Sequence, residues 1–311
     1  MSKIVIIGAG HVGSHCALSL SLLGVCGEIV LLDIDRRKAE AQARDAADAA
    51  ALLPHAVRIR DGWYDECRTA DIVVLAAGAP RVPERNARGE TVAPSRLALL
   101  EETMGMLRDV APQLARSGFD GVAVSISNPC DVIAQCLQAR LGLPAARVFG
   151  TGTGLDTARL RARLAEASGC SCAAVSCLVM GEHGDSQVAP RSQARIQGKP
   201  PEPDLFAAAA QAARMGGASI IGGKGATEFG IGLVLAEIAR AVLRDEKRAL
   251  PVSALLEGQF GQRDVYAGVP ALIGRSGVEA ICRPTLTPDE LLGFARSCEI
   301  IRRHARRAEA L

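Results

Sequence analysis

The stretch Lys3-Ile4-Val5-Ile6-Ile7-Gly8-Ala9-Gly10-His11-Val12-Gly13 decides the fold. Residues 3–7 form a largely apolar, β-branched run of strand length, the glycines come next in G-x-G-x-x-G spacing, and a helical pattern continues from about 14 to 23. Strand, glycine-rich turn and helix in that order can cradle a pyrophosphate. Gly8 permits the tight turn, Gly10 lets the phosphate approach the backbone, Gly13 allows close helix packing, and the helix N-terminus favours negative charge. The spacing alone is a weak signal, and it gains strength from the second strand.

That second apolar strand, residues 28–32, ends at Asp33, about 20 residues beyond Gly13, where an acid meets the adenosine ribose. A carboxylate there accepts hydrogen bonds from two ribose hydroxyls and repels a 2′-phosphate, so Asp33 points to NAD rather than NADP. Asp35, two residues on, is its local competitor. Residues 36–53 are Ala-rich and dotted with charge, which predicts a long helix. Residues 71–78 read as a third buried parallel strand and 121–127 as another, with a helix over 103–115 between them. Alternating β and α elements predict an α/β fold built on a doubly wound parallel sheet.

Composition narrows the function. With 36 basic and 34 acidic residues the formal net charge is +2, too little for a global field that would hold nucleic acid or an anionic membrane. Arg302, Arg303, Arg306 and Arg307 cluster near the C-terminus, where they suit the solvated face of a last helix. No run supplies the ~18 uninterrupted apolar residues that a membrane span needs, and the early apolar run breaks at Gly8, which argues against secretion. Ten cysteines without a CxxC pair read as reduced thiols of a cytosolic protein, and no metal site is assigned to them.

Three further stretches carry chemistry. Gly181-Glu182-His183-Gly184-Asp185 comes after the apolar run Cys177-Leu178-Val179-Met180 and sets one histidine, the candidate proton-transfer residue, at the end of an expected strand. Ser127-Asn128-Pro129 ends another strand and places an amide at the carboxyl edge of the sheet, where ligands of such folds bind. Gly150-Thr151-Gly152-Thr153-Gly154 leads into a helix with Asp156 and Arg159 on one face, three residues apart. Between Gly78 and Arg96 lies a long stretch with Pro80, Pro83 and Pro94 and with Arg81, Arg85 and Arg88. It reads either as a surface excursion or as a lid that carries an arginine onto an anionic substrate.

Taken together, GAGHVG, LLDID, ISNPCDVI, GTGTGLDTARLR, GEHGDS and KGATEFGIG, in that order over nearly the whole chain, resemble the L-lactate and malate dehydrogenase family. Within it the chain is most similar to bacterial L-lactate and L-2-hydroxyisocaproate dehydrogenases. The resemblance implies a Rossmann NAD-binding domain over residues 1–148 and an α+β substrate domain over 149–311. It makes Asp156 the partner that orients His183, Arg159 the grip on the substrate carboxylate, and Arg96 the loop residue that polarises the carbonyl, with Arg88 as rival. Asn128 would bond the substrate oxygen and, with Val12, Ala77 and Gly78, line the cofactor, while Thr227 would line the pocket near the nicotinamide.

The family likeness further implies a cytoplasmic enzyme of glycolysis that assembles as a homo-oligomer, in the form of a tetramer. Two departures bear on specificity and regulation. The 78–96 stretch is longer than in typical bacterial lactate dehydrogenases. Its start, Gly78-Ala79-Pro80-Arg81, resembles malate-specific enzymes, in which an arginine at this place pairs with a second carboxylate. Lactate is therefore the leading substrate, bulkier 2-hydroxy acids come next and malate third; an NAD-binding protein without catalysis is the reading from another class. In the activator site for fructose 1,6-bisphosphate, Arg161 matches the family's arginine but Ser176 replaces its histidine, which predicts weak or absent activation.

Overall fold

A computed structural model describes residues 1–78 and 99–311 with their side chains, and the backbone alone at 84–85, 91–92 and 96–98. The opening stretch forms strand β1 (Lys3–Ile7), buried at all five positions, and helix α1 (His11–Leu22). Strand β2 (Glu28–Leu32), helix α2 (Arg36–Ala50), strand β3 (Arg58–Asp61) and strand β4 (Ile72–Leu75) come next. Helix α3 (Arg96–Arg116), strand β5 (Val122–Ser125), helix α4 (Cys130–Leu141) and strand β6 (Val148–Gly150) complete the first half.

These six strands run parallel in the order β3-β2-β1-β4-β5-β6, two βαβ halves wound in opposite directions from β1 and β4. The strand order reverses between β1 and β4, so the crevice beyond their carboxyl ends is the ligand site of such a sheet. The expected third strand at 71–78 is in fact the fourth in sequence, because β3 precedes it. The sequence of β3, Arg-Ile-Arg-Asp, buries only Ile59, as suits an edge strand with one apolar anchor, and so leaves no apolar run to read. Both expected strands at 71–78 and 121–127 are shorter at their carboxyl ends, where the chain turns out into the crevice. The helix expected from 103 already starts at Arg96.

The second half contains helices α5 (Gly154–Ala167), α6 (Pro203–Lys224), α7 (Phe229–Leu243) and α8 (Pro288–Glu309) and strands β7 (Arg248–Glu257), β8 (Arg263–Gly274) and β9 (Gly277–Ile281). The last three strands are antiparallel and join the first sheet where Ser253 of β7 pairs with Gly150 of β6, giving one nine-stranded sheet. Tyr266 of β8, fully buried, donates its hydroxyl to the Val148 carbonyl at 3.1 Å across this junction. Helices α1 and α7 cross closely: a side chain at Gly232 would stand 2.5 Å from Ser19 Oγ, so glycine sets that approach. All ten cysteines are free thiols.

Candidate active site

The glycine-rich turn is built as its spacing predicts. Gly8 has φ +107°, and a Cβ there would meet the Ala77 backbone at 2.5 Å, while one on Gly13 would stand 1.8 Å from the Gly8 carbonyl oxygen. Both positions therefore require glycine, and Gly8 and Ala77 come together at the carboxyl ends of β1 and β4. Gly10 differs: among the described residues a Cβ there would find only Lys38 Nζ, at 3.8 Å, and one on Gly78 would find nothing within 4 Å. Backbone is thus laid open where a pyrophosphate needs close approach. Val12, in the first turn of α1, packs half-buried against the core.

Asp33 and Asp35 part company here. Asp35 caps α2, accepting from Lys38 N at 3.2 Å, and so is used by the helix. Asp33 accepts from Ala9 N at 2.8 Å and from Asp35 N at 3.0 Å, which fixes its carboxylate against the glycine turn with lone pairs left over. Lys38 Nζ stands 3.7 Å away. The residues present fit a dinucleotide that carries an unphosphorylated ribose.

His183 lies in the second half, yet the sheet brings it to the same crevice. Residues 177–180 are not the strand expected there, but a chain run pinned by α5: Thr153 Oγ1 donates to the Val179 carbonyl at 2.6 Å, and Val179 N donates to Thr157 Oγ1 at 3.0 Å. Only Met180 and Gly181 make bridges, to Val188 and to Gly268 of β8. Gly181 turns with φ +86° against Ser297 of α8, whose hydroxyl accepts from Glu182 N at 2.8 Å. These ties aim the next side chain: His183 Nδ1 meets Asp156 Oδ2 at 2.6 Å.

Arg159 Nη1 reaches the other oxygen of Asp156 at 3.2 Å, one turn along α5. Asp156 is buried, whereas the His183 side chain keeps 26% of its exposure. Burial favours the neutral ring, but the charge and hydrogen bond of Asp156, with the charge of Asp131, outweigh it and hold the His183 pKa above its ordinary value. For Asp156, burial raises the pKa, and His183 and Arg159 together bring it below the ordinary value. A ring whose cation is supported by a fixed acid, beside a guanidinium, can hand over and take back a proton next to a bound anion.

Asn128 is exposed in the turn from β5 to α4, with its backbone carbonyl oxygen accepting from Thr103 Oγ1 at 2.9 Å. Thr227 is half-buried in the connection between α6 and α7. Arg96 opens α3, but its side chain, like Arg81 and Arg88, lies outside the described residues. One residue at the site was not singled out by its sequence spacing. Asp131, buried in the first turn of α4, accepts from the backbone N of His183 at 2.9 Å and from Ser253 Oγ at 2.6 Å. Its nearness to Asn128 in the sequence was the available signal.

Comparisons with known proteins identify the family from the sequence and the fold. The sequence model of the lactate/malate dehydrogenase NAD binding domain matches residues 2–150, and that of the lactate/malate dehydrogenase alpha/beta C-terminal domain matches 153–310. The chain belongs to the lactate/malate dehydrogenase family. Among the relatives of this family member, an L-lactate dehydrogenase of Fusobacterium nucleatum subsp. nucleatum is 39% identical, over 97% of this chain and 95% of the relative. L-lactate dehydrogenase 2 of Lactiplantibacillus plantarum is 41% identical over 93% and 92%. The crystal structure of the minor L-lactate dehydrogenase from Enterococcus mundtii, in a ligands-bound form, superposes with a TM-score of 0.92 at 35% identity, covering 98% of each chain. This lactate/malate dehydrogenase is accordingly an oxidoreductase of 2-hydroxy acids with an NAD-binding α/β domain.

Proposed function

We propose that the protein interconverts L-lactate and pyruvate, with His183 as the proton carrier. The observation that carries this is the 2.6 Å contact of His183 with Asp156, whose other oxygen faces Arg159. When bound, NAD supplies the hydride acceptor for the alcohol, and its reduced form supplies the donor for the ketone. In the reducing direction His183 gives the proton held on Nε2 to the developing alkoxide while Asp156 stabilises the ring. Arg159 holds the substrate carboxylate through paired charge-assisted hydrogen bonds. Gly8, Gly10, Val12, Gly13, Ala77 and Gly78 form the cofactor cradle and Asp33 takes the ribose. Asn128 bonds the substrate oxygen, Thr227 lines the pocket, and Arg96 polarises the carbonyl. We place the boundary between the cofactor and substrate domains at 148/149.

One observation favours bulkier 2-oxo acids as a second reading. Gly216 and Gly217 of α6 face Arg159, and a Cβ on Gly217 would stand 3.3 Å from its guanidinium, so α6 presents bare backbone beside the carboxylate grip. Malate comes third and rests on Arg81.

The test is kcat/KM for NADH-dependent reduction of pyruvate, oxaloacetate and 2-oxoisocaproate by the wild type, Arg81→Gln and His183→Asn. Pyruvate should lead, Arg81→Gln should change little, and His183→Asn should lose about 10²- to 10⁴-fold, the usual worth of a positioned acid or base. A lead for oxaloacetate that Arg81→Gln abolishes would make this a malate enzyme; a lead for 2-oxoisocaproate would establish the second reading.

A further inference from the structure

We propose that Asp131 is a positioning residue of this dehydrogenase: its buried carboxylate, held by Ser253, fixes the backbone of His183 and supports the imidazolium through its charge. The proposal rests on the reading of His183 as the proton carrier.

The geometry carries it. A carboxylate fully enclosed in apolar surroundings is costly unless its lone pairs are used, and here they are used on two elements outside its own. Oδ1 accepts from Ser253 Oγ at 2.6 Å on β7, and Oδ2 accepts from His183 N at 2.9 Å. Asp131 also sits in the first turn of α4, where the helix dipole favours an anion. A neutral serine or asparagine would satisfy one backbone N–H at lower cost, so a buried acid at this point asks for a reason beyond holding the turn.

The charge supplies that reason. Of the charged groups that act on the His183 ring, Asp156 and Arg159 come from α5 and Asp131 from α4. Arg159 opposes the imidazolium and already takes one oxygen of Asp156. Asp131 offsets that cation. Glu182, beside His183, accepts from Ser186 of its own turn and stands 3.9 Å from His304 of α8. Its charge raises the cost of ionising Asp131, as burial does, while the bonds from Ser253 and His183 N lower it. The outcome is an acid pushed up to about 6, still ionised at neutral pH.

The predicted consequence is a shift in pH dependence that a purely structural acid would not produce. Reduction needs the imidazolium, so kcat/KM for pyruvate falls as pH rises through the His183 pKa. Oxidation needs the neutral ring, so kcat/KM for lactate falls as pH drops through it. In Asp131→Asn the amide can turn to accept from His183 N and donate to Ser253, which keeps the packing and removes the charge. Both midpoints should then move to lower pH together, by about half to one unit. Asp131→Ala, which also loses the acceptor, should move them equally and lower the plateau rate about tenfold or more.

Midpoints of Asp131→Asn within about 0.2 unit of wild type, whatever the plateau, would overturn the proposal. If Asp131→Asn does not fold, Ser253→Ala decides it. Without its donor Asp131 takes up a proton at higher pH, and the same downward shift should appear in reduced size; none would refute the proposal. His183→Asn is the control: retained turnover there would overturn the reading of the proton carrier instead, a different failure.

Discussion

At the scale of single residues, the proposed cofactor site puts the choice between NAD and NADP on one carboxylate. Asp33 is fixed by Ala9 N and Asp35 N, so it cannot swing away from a 2′-phosphate. At about 5 Å the repulsion between two such anions is on the order of 1–3 kcal/mol for effective dielectric constants of about 80 to 20. Asp33→Asn keeps an acceptor for Ala9 and removes the charge, leaving Lys38, 3.7 Å away, as an unopposed cation. The ratio of kcat/KM for NADPH to that for NADH should therefore rise about tenfold or more. An unchanged ratio would show that Asp33 does not face the ribose.

At the scale of elements, the exposed edge of the sheet depends on charge as much as on apolar packing. Strand β3 buries only Ile59, and Arg60 ties it down: its guanidinium bonds both oxygens of Glu66, at 2.6 and 2.7 Å, and Glu28 of β2 at 2.9 Å. Hydrogen bonding from Arg60, with help from Lys3, brings Glu66 down to about 2. A carboxylate with a depressed folded-state pKa gives its full stabilisation above its unfolded value, about 4.3, and loses it as pH falls towards 2. Glu66→Gln should thus be less stable than wild type by on the order of 1–3 kcal/mol at pH 7. Urea unfolding from pH 7 to pH 2 should show the gap closing below about pH 4. A gap independent of pH would mean that Glu66 acts through packing alone.

At the scale of the whole molecule, the two halves are interlocked by the shared sheet, by the crossing of α1 and α7, and by Asp131, which reaches from the first half to Ser253 and His183 of the second. We propose a cytoplasmic homotetramer. Phe229 and Leu233 of α7 and Met215 and Ile220 of α6 are large apolar side chains left exposed on one chain, as suits surfaces covered by other copies. Among the described residues no helix is long and apolar enough to cross a membrane. Fructose 1,6-bisphosphate should activate weakly or not at all. Arg161 is exposed, but Ser176 carries no charge, and Arg195, which faces it where Val175–Ser176 pairs antiparallel with Arg195–Ile196, already donates to the carbonyls of Ser192 and Ala194. One missing charge-assisted hydrogen bond per site is worth roughly 1.5–3 kcal/mol. Turnover and light-scattering mass, each with and without the sugar phosphate, check both statements; strong activation would refute the second.

The sequence by itself determined the parallel sheet, the glycine cradle and the acid after β2, because each rests on local rules: apolar runs, the backbone freedom of Gly8 and spacing along one chain segment. It also put Asp156 and Arg159 on one helical face, since the period of a helix is fixed. It did not reveal β3, whose alternation of arginine with a single isoleucine gives no apolar signal, nor choose between Asp33 and Asp35 by more than spacing until Asp35 was seen to cap α2. The family likeness named Asp156 as the partner of His183, but no local rule did; the tertiary structure brings the two together across 27 residues of chain, and it alone showed that Asp131 joins His183 to Ser253. Such contacts depend on where Thr153, Thr157 and Ser297 pin the 177–183 run, and a hydrogen bond between distant segments leaves no period in the sequence to read.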